Sequence, residues 1–209
     1  MHQSSSMDNN MASDTVNMMK IAGNTMALPL DPKDYWRSRM NHDLYRLTWA
    51  IARALFPSAK SAIDVGSYTS GLIVELDWIE KRVATDLTDL RHEWNHVADV
   101  EFLHGNAFDL AFDDLFDLVL SNQTIEHLDD PSGFVKKLLS IGRGLIISTT
   151  FETEAGLIAG HIQDPIDLEK FLGWFPCQFD SYVICEHPTA GKRLRHIIGV
   201  VKKYHPNRS

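Results

Sequence analysis

Twenty positions separate Gly66, in the stretch D-V-G-S-Y-T-S-G, from Asp86, in R-V-A-T-D-L. A glycine there permits a sharp turn out of a strand and lets a ligand approach the backbone closely. Thr69 or Ser70 can cap a following helix, which leaves amide groups aimed at that ligand. A carboxylate at the tip of the next strand can accept hydrogen bonds from the two hydroxyls of a ribose. The pair therefore points to an adenosine-like ligand. A pyrophosphate dinucleotide would ask for G-x-G-x-x-G, and Tyr68 stands where the second glycine belongs. A third stretch, H-G-N-A-F-D-L, offers Asn106 and the Ala107 backbone to the edge of a base, with Phe108 beside the ring. The fourth, F-D-L-V-L-S-N-Q-T-I-E-H-L-D-D-P, carries an apolar run into Ser121, Asn122 and Gln123, with Glu126 and His127 just beyond. His161 follows in A-G-H-I-Q-D-P. Imidazole titrates near neutral pH, so His127 and His161 are the candidates for a general base, and a buried Glu126 would be another.

These loops need a frame to hold them together. Trp36, Met40, Leu44, Leu47, Ile51 and Leu55 recur at spacings of three and four, which predicts one cap helix over about 32–56. Asp31-Pro32 marks its start and Pro57 its end. Tyr35, Trp36 and Tyr45 on this helix could close over a ligand, and Arg37 and Arg39 could meet an acidic one. Strands are expected at 61–66, 82–86, 100–104, 116–121, 144–150, 182–186 and 195–201. Helices are expected at 71–79, 131–140 and 167–174, with Asp164-Pro165 capping the last. Alternating strand and helix predicts a parallel sheet covered on both faces, and the last two strands suit an antiparallel hairpin at one edge. Ligands of such sheets bind at the carboxyl ends of the strands, where the four loops lie.

Composition sets the outer limits. The 209 residues suit one domain, residues 29–209, after a leader at 1–28 that is rich in Ser, Asn, Asp and Met and is expected to be disordered. A net charge of -8 disfavours nucleic acid as a partner. There is no bilayer-spanning run and no secretion signal, so no membrane partner and a cytoplasmic location are expected. Cys177 and Cys185 show no ligand spacing, and no metal is expected.

In their order, D-V-G-S-Y-T-S-G, T-D, G-N-A-F and F-D-L-V-L-S-N-Q-T-I-E-H-L-D-D-P, the stretches resemble the class I S-adenosylmethionine-dependent methyltransferases. They are most similar to the small methyltransferase type 11-like group. The resemblance spans about Ala62 to Thr150. It implies an α/β, Rossmann-like doubly wound sheet of seven strands, mostly parallel with an antiparallel edge hairpin. The cofactor it implies is S-adenosylmethionine. Gly66 and the backbone of Ser67 to Ser70, Tyr68 included, would hold the methionine moiety, and Asp64 would be among the cofactor-binding residues. Asp86 would bind the ribose with Leu87 beside it, Asn106 and Ala107 the adenine, and Ser121, Asn122 and Gln123 would border the methyl group. The family pattern D-x-G-x-G-x-G is broken here by Tyr68 and Ser70, and the acid that contacts adenine is replaced by Asn106. A zwitterionic amino-acid tail asks for fewer close backbone contacts than a pyrophosphate does.

The function expected is in-line transfer of a methyl group to a small-molecule or sugar-like acceptor, through oxygen or nitrogen. A homodimer remains an option for assembly. Two alternatives stand beside it: a catalytically silent methyltransferase-like scaffold module, and a nicotinamide-dependent oxidoreductase. The second is disfavoured by Tyr68 and by the lack of a Tyr-x-x-x-Lys pair.

Overall fold

The computed structural model describes residues 36, 39–69, 71–95, 97, 99–189 and 192–202. The expected leader, Tyr35, Arg37, Ser70 and the helix start at Asp31-Pro32 lie outside them. Seven strands form one sheet: β1 (Ser61–Val65), β2 (Lys81–Asp86), β3 (Val100–His104), β4 (Leu118–Asn122), β5 (Leu145–Phe151), β6 (Ser181–Thr189) and β7 (Lys192–Val201). Their order across the sheet is β3-β2-β1-β4-β5-β7-β6. The first five are parallel, and β7 runs antiparallel to both β5 and β6. The doubly wound sheet and its edge hairpin are thus as the sequence predicts. The order reverses between β1 and β4, which opens the crevice where such sheets take their ligand.

β4 and β5 are buried along their whole length, which explains their unbroken apolar runs. Alternate residues serve two cores. Ala62, Ala84, Leu118 and Leu120 face one layer with helix α1 (Asp43–Leu55) and the short α2 (Arg91–Trp94). Ile63, Val65, Val83 and Val119 face the other, with α3 (Pro131–Ile141) and α4 (Leu168–Gly173). Asp130 caps α3 by accepting from the Gly133 amide at 2.8 Å, with Pro131 at its first turn.

Three local expectations are corrected. The cap segment is not one helix. Trp36 and Arg39 are helical, the chain turns at Met40–His42, and α1 begins afresh at Asp43 after an extended His42. The buried face of α1 is Leu44, Tyr45, Thr48 and Ala52, one residue round from the expected stripe. The helix expected at 71–79 shrinks to a 3-10 turn, Gly71–Ile73, followed by turns. Its carbonyls are claimed from outside: Val74 O accepts from Arg82 at 2.8 Å and Glu75 O from the Trp49 indole at 3.0 Å. Both are then engaged away from the amides one helical turn on. Finally, α4 is capped by Asp167, which accepts from the Lys170 amide at 2.8 Å, and not by Asp164-Pro165.

Candidate active site

The loops after β1, β2, β4 and β5 open onto one cleft of about 620 Å³ at the carboxyl ends of the strands. Its size suits a ligand of a few hundred daltons. Gly66, Ser67, Tyr68 and Asp86 line one end, and Asn122 and Gln123 the middle. His127 and His161 line the far end.

Gly66 adopts φ +75°, as the tight turn requires. A Cβ there would meet Thr124 Oγ1 at 2.3 Å and Cγ2 at 2.5 Å, so the space beside this glycine is filled by the loop after β4. The amides of Gly66 and Ser67 donate to Thr85 O at 2.9 and 3.1 Å, and that of Tyr68 to Asp86 Oδ2 at 2.8 Å. These three amides therefore fasten the loop to β2, where the sequence reading aimed them at a ligand. Tyr68 keeps a left-handed backbone, φ +44°, without being glycine. Strain of this kind persists where the surroundings over-determine the conformation. Here the amide is held by Asp86 and the carbonyl accepts from the Trp94 indole at 3.1 Å. The ring itself is 47% exposed.

Asp86 Oδ1 accepts from the Thr88 amide at 2.8 Å. Each carboxylate oxygen keeps a second lone pair, available to a diol in the cleft. Asn122 Oδ1 accepts from Ser148 at 2.9 Å, while Asn122 Nδ2 and Gln123 Nε2 are buried donors with no partner within the protein. Buried polar atoms in this state are costly, and a polar ligand in the cleft would satisfy them. Donors and a carboxylate along one wall are the set that an amino-acid tail and a ribose need. The residues present thus fit the cofactor.

Other expected site residues sit apart from the cleft lining. Asp64 is buried beneath the loop, with no partner for either oxygen. Burial, reinforced by the charge of Asp86, pushes its carboxyl up to about 7. Ser121 ties β4 to β1 by donating to Val65 O at 2.9 Å. Leu87 is 72% exposed beyond β2. Asn106 accepts from the Phe108 amide at 3.0 Å, which caps the 3-10 turn Ala107–Asp109 beyond β3.

The far end is built from two loops strapped together. Glu126 is fully buried, and its backbone oxygen accepts from the Ile162 and Gln163 amides. Its Oε2 accepts from Thr149 at 2.9 Å, and its Oε1 has no hydrogen-bond partner. Burial pushes this carboxyl up to about 8. His161 Nδ1 lies 2.8 Å from Asp164 Oδ2, and Asp164 Oδ1 in turn accepts from Thr150 at 2.8 Å. Burial lowers the His161 pKa, against the opposing pull of Asp164. His127 Nδ1 lies 2.9 Å from Gly160 O, and its ring meets that of His161 edge-on at 4.7 Å.

The sequence reading missed a third wall. His42 and His187 stack at 3.8 Å, and with His196 they face the cleft from the turn before α1, from β6 and from β7. Burial first, then the neighbouring imidazoles, brings both His42 and His196 down to about 4. The signal available was weak: His196 pairs with Thr150 across β5 and β7, a register no sequence pattern states. Tyr45 and Arg39 line the cleft as the cap reading expected, whereas Trp36 packs over Gly71.

A doubly wound sheet in the order 3-2-1-4-5-7-6, with a cleft at its switch point, defines the class I methyltransferase fold. Residues 63–143 match the family described as a methyltransferase domain. Over that segment the chain is similar to a methyltransferase domain, and such a domain implies S-adenosylmethionine as cofactor. Among solved structures, the chain is similar to the N-methyltransferase NodS from Bradyrhizobium japonicum in complex with S-adenosyl-L-homocysteine. That likeness has 11% identity, a TM-score of 0.59, and coverage of 81% of this chain and 94% of that one. The magnesium protoporphyrin IX methyltransferase ChlM from Synechocystis, with bound S-adenosylmethionine, matches at 14% identity and TM-score 0.58 over 85% and 86%. The N-terminal domain of EvdMO1, with S-adenosylhomocysteine bound, matches at 17% and 0.55 over 85% and 83%. At such identities the likeness is one of fold. No curated protein matches the sequence. No helix among the described residues is long and apolar enough to cross a membrane.

Proposed function

We propose that this protein transfers a methyl group from S-adenosylmethionine to a small-molecule acceptor that enters the far end of the cleft, and that it works in the cytoplasm with Cys177 and Cys185 reduced. The observation that carries the reading is the continuity of the cleft. One opening joins the turn at Gly66 and Asp86 to the histidines at His127 and His161. Bound cofactor supplies an electrophilic methyl group on a sulfonium centre. The chain's own residues bind, orient and exclude water, which are the terms that matter for an in-line displacement. Asp86 receives the ribose, with Leu87, Asn106 and Ala107 beyond it for the adenine. Ser67, Asn122 and Gln123 hold the amino-acid tail through their side-chain polar groups. Asp64 and Ser121 support these from behind. His127 and His161 face the acceptor's end of the cleft, and the Asp164 carboxylate orients the His161 ring through Nδ1.

Calorimetric titration with S-adenosylmethionine, with NADH as the control ligand, tests the reading. Micromolar binding of the first and none of the second is expected. Asp86→Ala should weaken it by roughly tenfold to a hundredfold, the range for hydrogen bonds to a charged group. Absence of S-adenosylmethionine binding by folded protein would refute the enzyme and favour a silent scaffold.

A further inference from the structure

Around Glu126 the chain gathers three side chains that the sequence showed no reason to unite. One donor atom from each of Glu126, His127 and His161 lies within 4.8 Å of the other two. We propose that these three residues form a divalent transition-metal site at the acceptor end of the cleft.

The carboxylate is the first reason. Glu126 Oε1 is buried without a hydrogen-bond partner, 3.9 Å from His161 Nε2, while Oε2 is fixed by Thr149. A side chain so placed lacks one electrostatic partner, and a cation supplies it. The second reason is the tautomers. Gly160 O can only accept, so His127 Nδ1 carries the proton and Nε2 keeps its lone pair. The Asp164 carboxylate does the same for His161, leaving His161 Nε2 as its donor atom. Each imidazole is thus oriented through its other nitrogen by a carboxylate or a backbone carbonyl, which is the outer-shell pattern of metal-ligating histidine. Asp164 is itself anchored by Thr150 at 2.8 Å, so the outer shell extends to β5.

Two imidazoles and one carboxylate select a borderline ion such as Zn²⁺ or Fe²⁺ over Mg²⁺ or Ca²⁺, which prefer all-oxygen shells. Bonds of about 2.1 Å in a tetrahedral site place donors roughly 3.4 Å apart, so the three groups close by about an ångström on binding. His127 is exposed, so rotation of its side chain towards the buried Glu126 Oε1 can provide most of that movement. All three ligands line the cleft, so the remaining coordination positions open towards the acceptor. The acceptor class that follows, resting on the methyltransferase reading, is a small molecule that presents an oxygen donor to the ion.

The test uses the full chain, stripped with EDTA and titrated with Zn²⁺ in competition with a chromophoric chelator. One ion per chain is expected, with a rise in melting temperature on binding. His127→Gln, at an exposed position, should lower affinity at least tenfold without altering the metal-free fold. Glu126→Gln and His161→Gln should lower it further. Asp164→Asn, a positioning change, should lower it 10- to 100-fold. His92→Gln, on α2, should leave it unchanged. Failure of the folded wild type to bind would overturn the proposal, as would equal binding by His127→Gln and His161→Gln. S-adenosylmethionine titration of the same metal-free samples separates the two ideas. Cofactor binding without Zn²⁺ binding removes the metal site alone, and the converse removes the methyltransferase reading alone.

Discussion

Replacing Gly66 by alanine tests whether the turn after β1 is set by backbone conformation, by the neighbouring loop, or by both. An L-residue at φ +75° costs about 1–2 kcal/mol relative to glycine. The added methyl would also stand 2.3 Å from Thr124 Oγ1 and 2.5 Å from Cγ2, an overpacking that costs about 1–3 kcal/mol. Gly66→Ala should therefore destabilise the protein by about 2–5 kcal/mol. Thr124→Ala removes the two closest atoms and leaves Cβ, which would lie 3.0 Å from the new methyl. Alone it gives up the Thr124 hydroxyl's bonds to Gly66 O and Asn122 O, both 3.3 Å, a loss of about 1 kcal/mol. In the Thr124→Ala background, Gly66→Ala should then cost mainly the backbone term of about 1–2 kcal/mol. The two substitutions should thus couple by about 1–3 kcal/mol, well above the scatter of independent sites. Urea denaturation followed by tryptophan fluorescence on the four proteins measures this directly. Equal cost of Gly66→Ala in both backgrounds would refute the reasoning, because Thr124 would then not fill the space beside the glycine.

Two further substitutions probe the same end of the cleft. Asp64 has a folded pKa of about 7, raised by burial above its ordinary value of 3.8, so the folded state binds the extra proton between these limits. Its contribution is complete below pH 4 and is lost as pH rises towards 7, at up to about 1.4 kcal/mol per unit. Asp64→Asn should remove that slope and gain on wild type between pH 5 and pH 8; parallel denaturation profiles across this interval would contradict the assignment. Trp94→Phe deletes the indole bond to Tyr68 O and should cost about 1 kcal/mol. With the strained Tyr68 backbone loosened, S-adenosylmethionine affinity should fall several-fold, and unchanged affinity would show that Trp94 does not set the loop.

What the sequence made legible depends on whether an interaction is local or crosses the sheet. Gly66, Asp130 and the apolar strand of β5 act within a few residues, and their signals were sufficient. The spacing from Gly66 to Asp86 was also informative, because β1 and β2 pair in parallel and bring both to the carboxyl ends of adjacent strands. The helix expected after Gly71 failed for the opposite reason. Trp49 and Arg82 take two of its carbonyls from outside the segment. Tyr68 looked like an obstacle because a pattern of residue types does not carry φ. The structure keeps the glycine's conformation and leaves the ring half-exposed, at the cost of strain held by Asp86 and Trp94. The end of the cleft at His127 and His161 was least legible. Glu126 and His127 are adjacent in sequence, but His161 reaches them only because Ile162 and Gln163 bond to the Glu126 carbonyl across two loops. A base could be guessed from either histidine alone. A metal site cannot be read until all three donors share one space, and this protein meets that condition only through long-range loop packing.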